Sequence, residues 1–146
     1  MSMITKVDAY NDQTDEEIEN LIDSYVVKLF DGRSDDVVRI RRNIWTVREP
    51  LYSFNIIITS LLIIFDAVMF DELPEDKHAF FEELLSANAH QAKSSKLCLV
   101  KETIHLRIIR GLEDFDFSEF TDHVEEYREI FAEIQENFLD KFYPEI

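Results

Sequence analysis

Between residues 115 and 142, apolar side chains recur at Phe117, Phe120, Val124, Tyr127, Phe131, Ile134 and Phe138. Steps of three and four wind these residues into one stripe along an α-helix. The intervening positions are mostly acidic: Glu119, Asp122, Glu125, Glu126, Glu129, Glu133 and Glu136. Asp116 is placed to cap the helix, with Glu119 three residues on as a capping-box partner. A stripe that is wet on one side needs an apolar cover. The strand-like runs between residues 43 and 109 are the candidates for it.

The rest of the chain reads as a single α+β unit. Thr14 opens a first helix, with Glu17 as capping-box partner. Ile18, Leu21, Ile22, Tyr25 and Leu29 form its apolar face, and Asp31-Gly32 ends it in a left-handed cap. Residues 37–47 are β-branched and hold the only tryptophan, Trp45, with a break near Arg42-Asn43. They yield one dependable strand at 44–48. Residues 52–59 and 61–70 are the second and third strands. The continuous apolar run 61–65 suggests burial on both faces. A helix over 55–70 is the competing reading, because short apolar runs are ambiguous.

Pro74 is expected to start a second helix, where a missing N–H costs nothing. Phe80, Phe81, Leu84, Leu85 and Ala87 line one side of it. Residues 96–100 and 103–109 read as a hairpin, with Ile104, Leu106 and Ile108 alternating against Thr103, His105 and Arg107. The predicted order is α-β-β-β-α-β-β-α, a mainly antiparallel five-stranded sheet with helices. Residues 1–13 are expected to be a flexible N-terminus and 14–146 one domain.

Composition narrows the function classes. With 2 glycines in 146 residues, no glycine-rich phosphate cradle can be built. The net charge of −16 argues against binding nucleic acid through phosphates, and against anionic membrane surfaces. It favours solubility and steering toward basic partners. The lone cysteine, Cys98, cannot staple the fold, which fits a reducing cytoplasm. No secretory segment is evident at 1–12. The most apolar stretch, 56–70, is too short and too interrupted for a membrane helix.

Catalytic and metal-binding patterns are missing. His78, His90, His105 and His123 show no ligand spacing. Asp66 lies in the apolar run 63–69, where a carboxylate is costly unless paired or hydrated. An arginine on a neighbouring strand, Arg39, Arg41 or Arg48, is the structural explanation, and a catalytic acid is the sharper alternative. Arg39, Arg41, Arg42 and Arg48 form the main basic cluster. They either pair with acidic helices or anchor an acidic segment of a partner. No catalytic, cofactor or metal residues are expected, and the chain is read as no enzyme.

The segment Leu84-Leu85-Ser86-Ala87-Asn88, the hairpin after it, and Gly111-Leu112-Glu113 before a long acidic-faced helix resemble the type III secretion chaperone-like superfamily. That superfamily includes the chaperones resembling the Tir chaperone and the YbjN-like proteins. The leucine pair and the asparagine match Leu84, Leu85 and Asn88. The order of elements, the size and the acidity also agree. One departure is the hairpin turn, where Lys101-Glu102 stands in a region in which the family often has glycine. The resemblance implies a non-catalytic, cofactor-free protein-binding module: a small acidic cytoplasmic chaperone or adaptor, usually a homodimer, holding a segment of another protein. The alternatives are a YbjN-like regulatory protein that binds a folded partner, and an acidic mimic of nucleic acid. Adjacent apolar pairs on one helix point about 100° apart. Phe80, Phe81, Leu84 and Leu85, with Asn88, are therefore the candidate partner or dimer interface. Arg39, Arg41 and Arg42 are the candidate polar anchor.

Overall fold

The computed structural model describes residues 15–144. The expected flexible N-terminus and the Thr14 cap lie outside the described residues. Helix α1 (Asp15–Leu29) leads through a 3-10 turn (Ser34–Asp36) into strands β1 (Val37–Arg41), β2 (Ile44–Arg48), β3 (Ser53–Ile58) and β4 (Leu62–Phe70). Helix α2 (Lys77–His90), strands β5 (Ser95–Val100) and β6 (Thr103–Gly111) and helix α3 (Phe117–Phe142) follow. The strands form one antiparallel sheet in the order β1-β2-β3-β4-β6-β5.

The α+β class holds, and the strand count is corrected from five to six. The β-branched run at 37–47 is a hairpin rather than one strand. Val37 pairs with Val47 and Arg41 with Ile44, so the chain reverses at Arg42-Asn43. No glycine or proline marks that reversal. Asn43 secures it instead: its side-chain amide donates to Ile58 O, and its own carbonyl accepts from Ile58 N. The helical reading of 55–70 is excluded by the β3–β4 ladder.

Gly32 takes φ +85°, the left-handed conformation expected after α1. Helix α2 begins three residues after Pro74, because Asp76 is its cap and accepts from Ala79 N. The β5–β6 turn is closed by Lys101 at φ 57°, a left-handed residue that is not glycine. Asp116 caps α3 by accepting from Glu119 N at 2.8 Å. The Glu119 carboxylate does not reach back to complete a capping box; it pairs with Arg110.

The α3 stripe is the lid of the core. Phe120, Val124, Tyr127, Phe131, Ile134 and Phe138 are all buried, and Phe117 partly so. Aromatic pairs stitch the helix across the sheet: Phe65–Phe120, Phe54–Tyr127, Tyr52–Phe131 and Phe70–Phe138. The Tyr127 hydroxyl donates to Leu106 O at 2.7 Å, which satisfies the one polar atom in the stripe. Helix α1 covers the β1–β2 end, where Trp45 Nε1 donates to Asp23. The helices therefore bury one face of the sheet, with Trp45, Val47, Phe54, Ile56, Ile63, Phe65, Leu106 and Ile108 beneath them.

Candidate interaction surface

The side chains that alternate with this buried set point away from the helices. The run 61–65, expected to be buried on both faces, is buried on one. Ile63 and Phe65 are at 0 % exposure, while Leu61 and Leu62 are exposed and Ile64 is half-buried. Strand register aligns the outward residues in rows. Arg41 lies opposite Ile44, Ile44 opposite Ile57, Ile57 opposite Ile64, and Ile64 opposite Ile109. Five strands thus present one arginine and four isoleucines in line. At about 4.8 Å per strand the row spans roughly 19 Å. Ile109 is 56 % exposed, and Ile40 and Val68 elsewhere on the face are exposed as well.

A polar row runs beside it. Thr46 pairs with Asn55, Asn55 with Asp66, Asp66 with Arg107, and Arg107 with Lys96. Thr46 Oγ1 donates to Asn55 Oδ1 at 2.7 Å. Arg107 Nε donates to Asp66 at 2.6 Å, and the His105 ring lies 3.1 Å from the same carboxylate. The carboxylate raises the Arg107 pKa, through that hydrogen bond above all. Asp66 is thus paired as expected, but with Arg107 and His105 rather than with Arg39, Arg41 or Arg48. The reason is topological: β6 is inserted beside β4, so β1 and β2 never come within reach.

His105 also touches Thr103 Oγ1 at 3.1 Å, which makes an Asp66–His105–Thr103 line. Its geometry differs from that of an activated nucleophile. The Thr103 hydroxyl donates to Val100 O at 2.7 Å, so its proton is held by the turn and not by the imidazole. Cys98 neighbours His105 across the ladder, and burial pushes its thiol pKa up, away from thiolate.

The candidate anchors are largely engaged. Arg39 lies over the Trp45 ring on the helix-covered side, donates to Arg42 O and sits 3.7 Å from Asp23. Arg42 pairs with the buried Glu19 at 2.8 Å. Arg41 is exposed and heads the isoleucine row. Of the α2 candidates, Phe80 and Leu84 are buried, Phe81 is half-buried against the core, and Leu85 is 70 % exposed. Asn88 is committed to the edge strand: its side chain accepts from Leu97 N at 2.7 Å and donates to Leu97 O at 3.1 Å. The structure thus places Phe80 and Leu84 in the core, Phe81 at its margin, Leu85 outside and Asn88 at the sheet edge, so the α2 candidates do not form one outer patch.

Sequence reasoning missed two surfaces. One is the isoleucine row. The other is an apolar groove of about 390 Å³ between α3 and the β2–β3 turn, lined by Leu51, Tyr52, Phe131 and Leu139 among others. A charge count by element would have flagged the first. The six strands contain one carboxylate, Asp66, against six Lys or Arg, in a chain with 31 acidic residues.

Among the described residues no three His, Cys, Asp or Glu side chains are grouped to hold a metal ion. No helix among them is long and apolar enough to cross a membrane. Comparison with protein-family models and with curated proteins finds no match to this chain.

Proposed function

We propose that the chain is a non-catalytic protein-binding module, a small acidic cytoplasmic chaperone or adaptor that holds a segment of another protein against the uncovered face of its sheet. The observation that carries this reading is the row Ile44, Ile57, Ile64 and Ile109, four aligned isoleucines beneath no helix. Ile109 is exposed and the other three are half-buried, and an outward apolar row of this kind is the sort of surface that meets a partner. The polar groups beside it support binding over chemistry, since the Thr103 hydroxyl donates to Val100 O and the Arg107 guanidinium to Asp66.

The test is affinity capture with the full chain, followed by cross-linking and mass spectrometry. The expected cross-links run from Lys96, on the outer face, to the captured protein. Ile109→Asp should abolish capture while circular dichroism stays native. Loss on Leu85→Asp with Ile109→Asp silent would move the site to α2 and overturn the assignment to the sheet. The homodimer implied by the resemblance belongs to the same reading, with Leu85 its exposed α2 residue. Light scattering that gives a mass near 17.3 kDa at every concentration would remove it.

A further inference from the structure

The net charge of the whole chain favours basic partners, yet the uncovered face has the opposite sign. Its outward positions carry Arg41, Arg48, Lys96 and Arg107 against a single carboxylate, Asp66. Arg107 is neutralised by Asp66, and Arg48 by Asp36 at 3.1 Å. Lys96 Nζ donates to the neutral carbonyl of Asn88, and among the described residues neither Lys96 nor Arg41 has a carboxylate partner. One uncompensated cation therefore stands at the β1 end of the isoleucine row, and another at the β5 end of the polar row.

The spacing of the row matters too. A helix laid across the strands rises 5.4 Å per turn, close to the roughly 4.8 Å between strands. One apolar side chain per turn would meet one isoleucine, and about 13 residues would cover the row.

Resting on the binding-module reading, we infer that the uncovered sheet face is a docking surface for an acidic amphipathic helix of another protein. The apolar stripe of that helix lies along the isoleucine row, and its flanking carboxylates reach Arg41 and Lys96. Charge complementarity selects this occupant over a second copy docked face to face, which would bring the same cations together. It also selects it over a basic segment, which the acidic outer faces of the helices would draw away from the sheet.

The experiment titrates the full chain with two designed 18-residue helical peptides that share a leucine stripe, one flanked by glutamate and the other by lysine. Fluorescence anisotropy reads affinity, and amide shifts of β3, β4 and β6 read location. The glutamate peptide is expected to shift those amides and to bind at the face about tenfold more tightly than the lysine peptide. Raising the salt concentration should weaken it. The double substitution Arg41→Glu with Lys96→Glu should remove the preference, Ile109→Asp should remove binding, and Leu85→Asp should leave both. The substituted residues are exposed, so the dispersion of the amide spectrum reports retained folding. Equal binding of both peptides at this face would overturn the acidic preference while the binding-module reading stands. Binding of the lysine peptide alone would overturn the inference as well. Failure of both peptides to shift these amides would also overturn it, whereas the binding-module reading falls only if the capture experiment fails.

Discussion

Arg107 Nε reaches Asp66 Oδ1 at 2.6 Å across the β4–β6 ladder, on the side of the sheet that no helix covers. The pair is neither surface nor core: the Asp66 side chain is 14 % exposed and that of Arg107 33 %. A carboxylate here is tolerated because Arg107 and His105 both converge on it. Asp66→Asn should cost about 1–2 kcal/mol, as expected for a charge-assisted hydrogen bond with partial solvent access. Urea unfolding of a double-mutant cycle with Arg107→Met measures the coupling, and a coupling indistinguishable from zero would show the pair to be ornamental.

Phe131 is fully buried and stacks on Tyr52 with ring centroids 3.8 Å apart. Phe131→Ala should cost about 3–5 kcal/mol, the sum of lost transfer energy and a cavity. Leu85→Ala, on an exposed helix face, should change stability by about 0.5 kcal/mol or less. Equal losses at the two sites would contradict the assignment of inside and outside.

Asn88 ties the end of α2 to the sheet edge. Its amide satisfies both the N–H and the C=O of Leu97, groups that would otherwise lie open on edge strand β5. Asn88→Ala should therefore cost about 1–2 kcal/mol and leave the edge available for pairing. The first effect is read by denaturation, the second by faster amide exchange at Leu97. Unchanged exchange there would rule out the edge-covering role.

His123 sits between the rings of Phe115 and Phe65, with its Nε2 buried and unpartnered among the described residues. Burial lowers its pKa, and the nearby Glu126 and Glu119 only partly oppose this. The folded state therefore resists protonation more than the unfolded chain does. The resulting stability is present above the ordinary histidine value of about 6.5 and is lost as pH falls toward the folded value. Glu126 acts in the same direction at lower pH. Burial pushes its carboxyl up, but hydrogen bonds from Ser95 and Ser94 outweigh that and hold it below the usual range. His123→Phe should flatten the stability profile as pH falls below about 6.5, the ordinary histidine value. An unaltered slope would place the titrating group elsewhere.

Some of this molecule could be read directly from its residues. The α3 stripe was legible because seven apolar positions keep the helical period and acidic residues fill the gaps. The Asp116 and Gly32 helix ends were legible because each performs a local backbone task. The break at Arg42-Asn43 was visible as well, but not that residues 37–41 pair back as a sixth strand, since that reversal is secured by Ile58, fifteen residues beyond Asn43. Nor was the partner of Asp66, which depends on β6 entering the sheet beside β4.

The candidate surface marks the boundary most clearly. Ile56 and Ile57, Ile63 and Ile64, and Ile108 and Ile109 are chemically identical neighbours, and in each pair the first is buried and the second faces outward. Alternation reports burial only when the two faces differ in polarity. The sequence by itself determined the class of fold, the acidic helices and the residues able to fill a core. Which member of each isoleucine pair became core was decided by where α1 and α3 dock, because a helix covers one face of a sheet and leaves the other to solvent or to a partner.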